Sequence, residues 1–566
     1  MSIFNKIPMP KLRHSKHNLS FNNKFTANMG YIYPFAVYDC VPGDTFKLNT
    51  GFRVRTQPLI APIMHEVNGF VRWFFVPYRL LWDNWQEFIT GGVDGAASPV
   101  YPVLTPDRNS PIFLNDEWET NNGEFVRLVS NGSLADYLGF PTYVQSDQHT
   151  IILDNQPQIK NVYSYDLMPF KAYQFIYNEY FRDQNLSEEV PLYTNLDGEI
   201  GGQGRDVWNL FALRAHAWEK DMFTSALPWA QRGQDSTISF DNDTLPIVWN
   251  DNVNGLALQR IRNIDGQFVT QDSGVFYNLE TRRDSPADPT SYLSTDTGSS
   301  HPYRNIDLNN THVVDASGVS LFSIQALRLA AAVQRFFENN ARSGSRSVEQ
   351  IAARFGVRVP DYRLDRPEYL GGGMFPLRFS EVLQTSSTDS TSPQGNMAGR
   401  GFGTGSSRPV KYFCQEHGIL MGLFYCQPRS AYSQGLPRMY SRRDKFDFFT
   451  PEFQHLGEQE ILNKEIYMSA NANVDDGTFG YTPRYAEYKF KANEIHGDFK
   501  TNMSFWHLSR EFDMLPALNE SFVCAFPRKD VFAVQSDQYD SLLVETFVEC
   551  YARRPMSMFG TPSSII

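Results

Sequence analysis

Three side chains able to act as a nucleophile, a base and a metal ligand occur close together, at Cys414, Glu416 and His417. In an extended strand, Cys414 and Glu416 lie on one face and His417 on the other. No further Cys or His lies at the spacing that completes a zinc site. The sequence therefore favours a structural role for these three residues.

Two other motifs begin like ligand-binding loops without completing them. Gly399-Arg-Gly-Phe-Gly-Thr-Gly405 lacks the Lys and the following helix pattern of a phosphate loop, so we predict a flexible loop within the low-complexity segment 385–408. Asn250-Asp-Asn-Val-Asn-Gly255 starts like a calcium loop, but Ile261 stands where a bidentate Glu is required. Neither a Gly-x-Ser-x-Gly nor a His-Glu-x-x-His motif occurs. The sequence therefore predicts no enzyme, no cofactor and no metal site.

The first residues of the chain form a basic arm. Residues 1–38 contain no Asp or Glu, although the whole chain of 566 residues has a net charge of −12. Such an arm can neutralise phosphates without reading bases, and Phe4, Phe21 and Phe25 can stack on unpaired bases. A solvated tail that only aids solubility is the alternative. The predicted nucleic-acid contacts are Lys6, Lys11, Arg13, Lys16 and Lys24.

The composition excludes several classes of protein. The acidic net charge argues against a dedicated nucleic-acid binder, so any such contact is local. No apolar run approaches the roughly 20 residues that span a bilayer, and the N-terminus lacks the apolar core of a signal peptide. We therefore expect a soluble protein with no membrane insertion. Its five cysteines are expected to be reduced and buried.

The most informative element is an aromatic strand over Gly69–Val76. Bulky side chains occupy both of its faces, which predicts a strand covered on both sides. Pro77 ends this strand, and Leu81, Trp85 and Phe88 then recur at helical spacing.

Strand patterns occur at both ends of the chain, with helices between them. The clearest strand covers residues 542–551, where Leu542, Val544, Thr546, Val548 and Cys550 share one face. Helical spacing appears from Leu167 to Phe181 and from Phe322 to Phe336. Two separate terminal strand groups would leave open sheet edges. We therefore predict one discontinuous β domain built from both ends of the chain.

Short motifs along most of the chain resemble the major capsid protein of the Microviridae, of the gokushovirus type. Each motif alone is weak, but their shared order is specific. They are His17–Ser20, Val41-Pro-Gly-Asp-Thr-Phe46, Phe75-Val-Pro-Tyr-Arg79 with Trp85, Phe175–Phe181, Glu416-His-Gly418 and Tyr481–Lys489.

The resemblance implies a mainly β fold, an eight-stranded antiparallel jelly roll of viral capsid type with large helical and loop insertions. We divide the chain into a basic arm (1–30) and a single discontinuous jelly-roll domain (31–566). The domain has helical insertions at about 160–233 and 318–360 and a surface protrusion at about 234–317, which is rich in Asp, Asn, Ser and Thr.

The function implied is self-assembly into a T=1 icosahedral shell around circular single-stranded DNA. The implied partners are further copies of the chain, a small basic internal DNA-binding protein, a pilot or vertex protein and a host surface receptor. The virion is the implied location, with assembly in the host cytoplasm. The protrusion is implied to project at the threefold axes and to face the host through Asp241, Asp243, Asn252, Asn254, Asp272, Tyr277 and Asp296.

Two functions from other classes remain open on the sequence alone. The 28 Tyr and 9 Trp residues could provide stacking platforms for a carbohydrate-binding β protein. A glycosidase on a β scaffold would need two carboxylates at a defined separation, which a sequence cannot reveal.

Overall fold

A large, curled antiparallel sheet is the central element of the fold. In this computed structural model, the described residues are 13–93, 96–105, 131–141, 164–201, 209–233, 358–383, 397–535 and 539–558, with short isolated segments elsewhere. The strands of the sheet are β1 (Ser15–Asn18), β2 (Phe21–Ala27), β3 (Ile32–Cys40), β4 (Thr45–Thr56), β5 (Val67–Pro77), β6 (Glu368–Leu383), β7 (Met397–Ser406), β8 (Val410–Phe413), β9 (Gly418–Pro428) and β10 (Leu542–Arg554).

The order of the strands brings the two ends of the chain together. The sheet runs β1-β10-β4-β7-β6-β5-β9-β3, while β2 also pairs with β10 and β8 with β4. The longest pairing joins β10 to β4, from Leu542 opposite Thr56 to Arg553 opposite Thr45. The prediction that both ends of the chain contribute to one sheet is confirmed.

The alternation predicted for β10 is present in the structure. Leu542, Val544 and Val548 are buried, whereas Leu543 and Phe547 are exposed. One face of this part of the sheet therefore points into a core and the other points outward.

Strand β6 connects the two halves of the sheet and allows it to curl. Its first part pairs with β5, with a register shift between Tyr369 and Gly371, and its second part pairs with β7. A strand that continues from one packed layer into another forms the corner of a sandwich. The fold is thus mainly β with a curled antiparallel sheet consistent with the predicted jelly roll.

Strand β5 separates two hydrophobic cores, as its two bulky faces predicted. Val71, Trp73 and Phe75 pack into the core enclosed by the curled sheet. Phe74 and Val76 face a second core. The prediction that this strand is covered on both faces is confirmed.

The second core is built by α2 (Leu167–Ile176), which follows α1 (Trp85–Thr90) in the chain. The Tyr173 hydroxyl donates to the carbonyl oxygen of Ile32 in β3 at 2.8 Å. The buried Lys171 ammonium donates to the carbonyl oxygens of Leu81 (3.3 Å) and Tyr193 (2.9 Å). Burial lowers the pKa of Lys171 to about 8. This helix therefore fixes the strands and the connecting loops to each other.

Further elements are short. The other described helices are Leu134–Tyr137, Arg438–Ser441, Asn463–Ile466, Ala472–Asp475, Ala486–Lys489 and Glu520–Val523, with a π-helical turn at Tyr177–Phe181 and 3-10 turns at Tyr78–Leu80, Asn209–Phe211, Asp361–Leu364, Lys445–Asp447, Pro451–Phe453, Gly497–Lys500 and Ser504–Trp506. Small sheets join Glu199–Gly201, Val103–Thr105 and Tyr165–Asp166; Ile152–Leu153 and Gln156–Pro157; and Glu458–Leu462 and Thr478–Pro483.

Residues 233–337 form a separate compact unit. It contains a two-stranded pairing of Ile247–Trp249 with His312–Val314 and a five-stranded sheet made of Phe268–Val269, Ile261–Asn263, Arg304–Ile306, Tyr292–Asp296 and Asn278–Arg282. Helix α3 (Ile324–Ser343), predicted from its apolar spacing, starts within this unit. Trp249 and His312 are paired on neighbouring antiparallel strands. The chain therefore enters and leaves the segment 250–311 at adjacent positions.

The glycine-rich motif was predicted wrongly as a flexible loop. Residues 397–406 form strand β7, within the sheet between β4 and β6. A side chain at Gly401 would meet Thr56 and Phe379, and one at Gly403 would meet Phe375. Glycine occurs at every second position because these positions face inward, where bulky neighbours leave no room for a side chain. The pattern does not indicate a mobile backbone. Residues 386–396 of the predicted loop lie outside the described part of the chain.

We predict that Gly405→Ala destabilises the subunit, although Ala favours an ordered backbone more than Gly does. A Cβ atom at this position would lie 2.7 Å from Phe52 Cε2 and 2.8 Å from Phe375 Cβ. Overpacking of this kind costs about 1–3 kcal/mol of unfolding free energy, measurable by urea unfolding of dispersed subunits. Thr404→Ala, on the outward face of the same strand, is the control and should change stability by less than about 0.5 kcal/mol. Equal stabilities of the two variants would contradict this packing role.

Candidate nucleic-acid surface and family membership

The outward side of one half of the sheet carries a concentration of positive charge. We call this surface the basic face; it comprises the outward positions of β1, β2, β4, β7, β8 and β10 and of the second part of β6. The strand registers place these positions on one side, and their basic side chains are exposed. They are Lys16, Lys24, Lys47, Arg53, Arg55, Arg378, Arg400, Lys411 and Arg553.

Negative charge is scarce on the basic face. At the outward positions of the described strands, the acidic residues are Glu545 and Glu549. Glu545 is shared between Lys24 at 3.8 Å and Arg53 at 3.3 Å. Both pairs are solvent-exposed, so each contributes little stability. The whole chain has a net charge of −12, so this surface is a positively charged region on an acidic protein.

Two pairs of like charges lie directly opposite each other on neighbouring strands. Lys411 of β8 is opposite Lys47 of β4, and Lys16 of β1 is opposite Arg553 of β10. Like charges directly opposite each other destabilise a sheet. The sheet therefore carries repulsion that a bound polyanion would relieve.

Aromatic side chains lie among these cations. Phe402, Phe413 and Phe547 are exposed on the basic face. Arg55 lies 6.0 Å from the ring centre of Phe402, and Lys16 lies 4.3 Å from that of Tyr551. Cations beside exposed aromatic rings are the combination found in proteins that bind single-stranded nucleic acid.

A groove of about 900 Å³ borders the basic face. Its lining includes Lys24, Arg53 and Arg55, together with Tyr137 and the carboxylates of Asp136 and Glu545. The Tyr137 hydroxyl donates to the Thr26 carbonyl oxygen at 2.8 Å, which fixes this residue to β2. The groove therefore combines three cations with two carboxylates and has one lining residue fixed to β2.

The residues predicted for nucleic-acid contact are only partly brought together. Lys16 and Lys24 lie on the basic face, and Arg13 is exposed just before β1. Lys6 and Lys11 lie outside the described residues, as does Phe4.

The other two aromatic residues of the arm are involved in packing within the subunit. Phe25, predicted to stack on bases, instead packs against Tyr33, Tyr137 and Phe424. Phe21 lies against Tyr38, with ring centres 6.1 Å apart. The larger part of the positive surface, on β4, β7 and β8, was missed. The alternation of Lys47, Arg53 and Arg55 with buried residues in one strand is the signal that points to it.

Most of the residues predicted to face the host lie outside the described part of the chain. These are Asp241, Asp243, Asn252, Asn254, Asp272 and Tyr277, together with the calcium-like motif at 250–255. Asp296 is described and ends the strand Tyr292–Asp296.

Cys414, Glu416 and His417 do not form a reactive site. Glu416 accepts from Arg79 Nε at 2.8 Å, and the His417 ring lies 5.8 Å from that of Trp85. A hydrogen bond with Cys414, together with burial, raises the pKa of Cys40, which makes its thiol unreactive. All five cysteines are buried and free. In the described parts of the chain, no cluster of three His, Cys, Asp or Glu residues can hold a metal ion.

The fold agrees with what the sequence is similar to. A family model described as capsid protein (F protein) matches residues 5–564. The chain belongs to this capsid protein family. The predicted resemblance to gokushovirus-type Microviridae capsid proteins is confirmed, and the chain is a structural virion component.

Individual relatives cover almost the whole chain. Capsid protein VP1 of Chlamydia phage 1 is 33% identical over 616 residues, covering 99% of this chain and 97% of the relative. Capsid protein VP1 of Bdellovibrio phage phiMH2K is 33% identical over 575 residues, with the same coverage. Capsid protein VP1 of Spiroplasma virus 4 is 26% identical over 566 residues, covering 94% of this chain and 92% of the relative.

These names bear on the alternatives that the sequence left open. They describe structural proteins, which agrees with the prediction that the chain is not an enzyme and disfavours a glycosidase or a carbohydrate-binding protein. Within the described segments, no helix is both long and apolar enough to cross a membrane.

We predict that Lys411→Glu stabilises the dispersed subunit. The substitution replaces repulsion with attraction opposite Lys47, which should raise the free energy of unfolding by about 0.5–1 kcal/mol at low salt. Salt should screen most of this gain. Urea unfolding at low and high ionic strength measures both effects.

Lys491→Glu is the matched control, because exposed Lys491 forms an ion pair with Glu494 at 3.6 Å and does not oppose another cation. Its substitution should not stabilise the subunit. A Lys411→Glu variant no more stable than Lys491→Glu would contradict the repulsion inferred on the basic face.

Proposed function

We propose that copies of this chain assemble into a T=1 icosahedral shell that encloses circular single-stranded DNA, with the basic face turned toward the genome. The observation that carries the proposal is the unbalanced charge of that face, including the opposed pairs Lys47–Lys411 and Lys16–Arg553. Phosphates placed along these cations would relieve their repulsion and release counterions. Shell formation itself is the role expected from the capsid family.

The basic face would bind DNA without regard to its base sequence. Contacts to phosphate carry no sequence information, and exposed rings such as Phe402 and Phe547 accept any base. This is what packaging requires, because every shell position meets a different stretch of the genome. The arm residues Lys6, Lys11 and Arg13 would extend the same contact beyond β1.

Salt dependence of DNA binding tests this surface. We expect the double variant Lys47→Ala with Lys411→Ala to bind a mixed-sequence single-stranded oligonucleotide more weakly than the unmodified chain. Loss of two phosphate contacts should reduce the slope of log K against log salt by roughly 1.4. Fluorescence anisotropy with dispersed subunits measures the slope, and the DNA content of purified particles provides the second readout.

The matched control is Lys491→Ala with Lys500→Ala, which removes the same charge at exposed positions outside the sheet. This control should keep the slope and DNA content of the unmodified chain. Equal slopes for the two double variants, or equal DNA contents, would refute a genome-facing role for the basic face.

The other partners follow from the same proposal. A small basic internal protein would neutralise phosphates that the shell does not reach, and a pilot or vertex protein would complete the particle. Assembly would take place in the host cytoplasm. The reduced state of the cysteines is compatible with that compartment, because each thiol is buried and free.

We also propose that the unit at residues 233–337 is an outward protrusion at the threefold axes that contacts a host receptor. Its support is its compactness as a separate unit and its richness in Asp, Asn, Ser and Thr. Short polar side chains offer many hydrogen-bonding groups for recognition of another surface.

Deletion of the protrusion tests its role. Because Trp249 and His312 are paired across two antiparallel strands, residues 250–311 can be replaced by Asn-Gly, which forms a tight hairpin. We expect the variant to form closed particles, visible by negative-stain microscopy, that no longer adsorb to susceptible host cells. Adsorption equal to that of unmodified particles would exclude the protrusion as the attachment surface.

A further inference from the structure

A second surface of the subunit exposes many large apolar side chains. It is formed by residues 438–456 and 485–490, and we call it the aromatic surface. Single exposed apolar residues are ordinary, but a concentration of them marks an interaction site. The exposed members are Met439, Tyr440, Phe446, Phe448, Phe449, Leu456, Tyr488 and Phe490.

Several rings of the aromatic surface lie in contact with one another. Phe449 lies 5.0 Å from Tyr485 and 6.2 Å from Tyr488, measured between ring centres. Arg442 lies 4.4 Å from the ring centre of Tyr488 and 5.4 Å from that of Phe448. One guanidinium therefore links both segments of the surface.

Hydrogen bonds hold the aromatic surface in its exposed conformation. The Phe449 amide donates to the Tyr488 hydroxyl at 3.2 Å. Arg438 Nη1 donates to the Glu460 carbonyl oxygen (2.6 Å) and to Glu465 Oε1 (3.2 Å), which ties the first segment to a neighbouring hairpin. A surface that is already ordered loses little side-chain entropy when it binds.

The charge of this region distinguishes it from the basic face. Its two segments, 438–456 and 485–490, contain five Lys or Arg and four Asp or Glu. A nucleic-acid surface carries an excess of positive charge, whereas a protein contact is rich in aromatic residues, Met and Arg with charges near balance. The aromatic surface therefore fits a protein partner.

Its size also fits a subunit contact. A whole aromatic side chain buries about 150–250 Å², so eight large side chains that are about half exposed offer roughly 800 Å². A standard protein interface buries about 800 Å² on each partner. For a capsid protein, the partner present at every position is another copy of the same chain.

We propose that the aromatic surface is a contact between neighbouring copies of this chain in the assembled shell. Phe446 and Phe448 act as anchors that are buried by the neighbour, and Arg442 orients the second of them. Closure of the shell makes weak contacts of this kind cooperative. This inference rests on the proposed shell assembly.

Paired double variants with similar exposure test the inference. Phe446 and Phe448 are each 53% exposed, while Phe526 and Tyr362, which lie outside both named surfaces, are 54% and 49% exposed. We expect Phe446→Ser with Phe448→Ser to reduce the yield of shells more than tenfold, measured by sedimentation and negative-stain microscopy. Phe526→Ser with Tyr362→Ser, which lie outside both the basic face and the aromatic surface, should assemble with a yield close to that of the unmodified chain.

The outcomes separate this inference from the proposed function. If the unmodified chain forms shells and both double variants assemble equally well, or equally poorly, the aromatic surface is not a specific subunit contact. If the Phe446/Phe448 variant forms shells but loses oligonucleotide binding, the surface is a nucleic-acid platform and the inference fails. If the unmodified chain forms no shells, the proposed function itself fails.

Folding of the variants is checked independently. Circular dichroism and the thermal unfolding midpoint of dispersed subunits should match those of the unmodified chain. Met439→Lys provides a second, milder test, because Met439 is exposed on the same surface and a new charge there opposes burial without removing a ring. Normal shell yield in Met439→Lys, together with normal yield in the phenylalanine variant, would overturn the proposal.

Discussion

The pairing of β4 with β10 is the constraint on which the rest of this subunit depends. It joins strands almost five hundred residues apart and runs along the full length of β4. Strands β1 and β2 pair with the other side of β10, and β7 and β8 pair with the other side of β4. The core enclosed by the curled sheet and the basic face therefore both depend on this register. A slip of one residue there would turn the buried side chains outward and the cations inward.

The structure distinguishes the basic face from the aromatic surface, which have similar amino-acid compositions. Aromatic residues and cations occur together on both the basic face and the aromatic surface. On the basic face, the cations outnumber the carboxylates and in places face each other across strands, as with Lys47 and Lys411. On the aromatic surface, acidic residues balance them, and Arg442 is used to order rings. The local balance of charge, more than the presence of Arg or Phe, indicates which partner each surface fits.

Sequence reasoning succeeded where a single segment contains its own signal. The two bulky faces of β5, the alternation in β10 and the spacing in α2 each predicted an element and its burial. It failed for β7, because glycines facing Phe375 resemble a flexible loop unless the neighbouring strands are known. The basic face was only partly predicted for a related reason. Its residues come from seven strands between residues 15 and 554, and only the sheet register brings them together.

The distance along the chain between β4 and β10 has a consequence for synthesis. When β4 leaves the ribosome, the strand that will lie beside it has yet to be translated, and pairing between such distant segments is slow because the loop must close first. Until β10 has been translated, this edge of β4 stays unpaired, and an unpaired strand edge can aggregate with other chains. A polypeptide interrupted before Leu542 can never fill that gap in the sheet. Only chains translated through β10 can therefore complete the sheet and act as shell subunits.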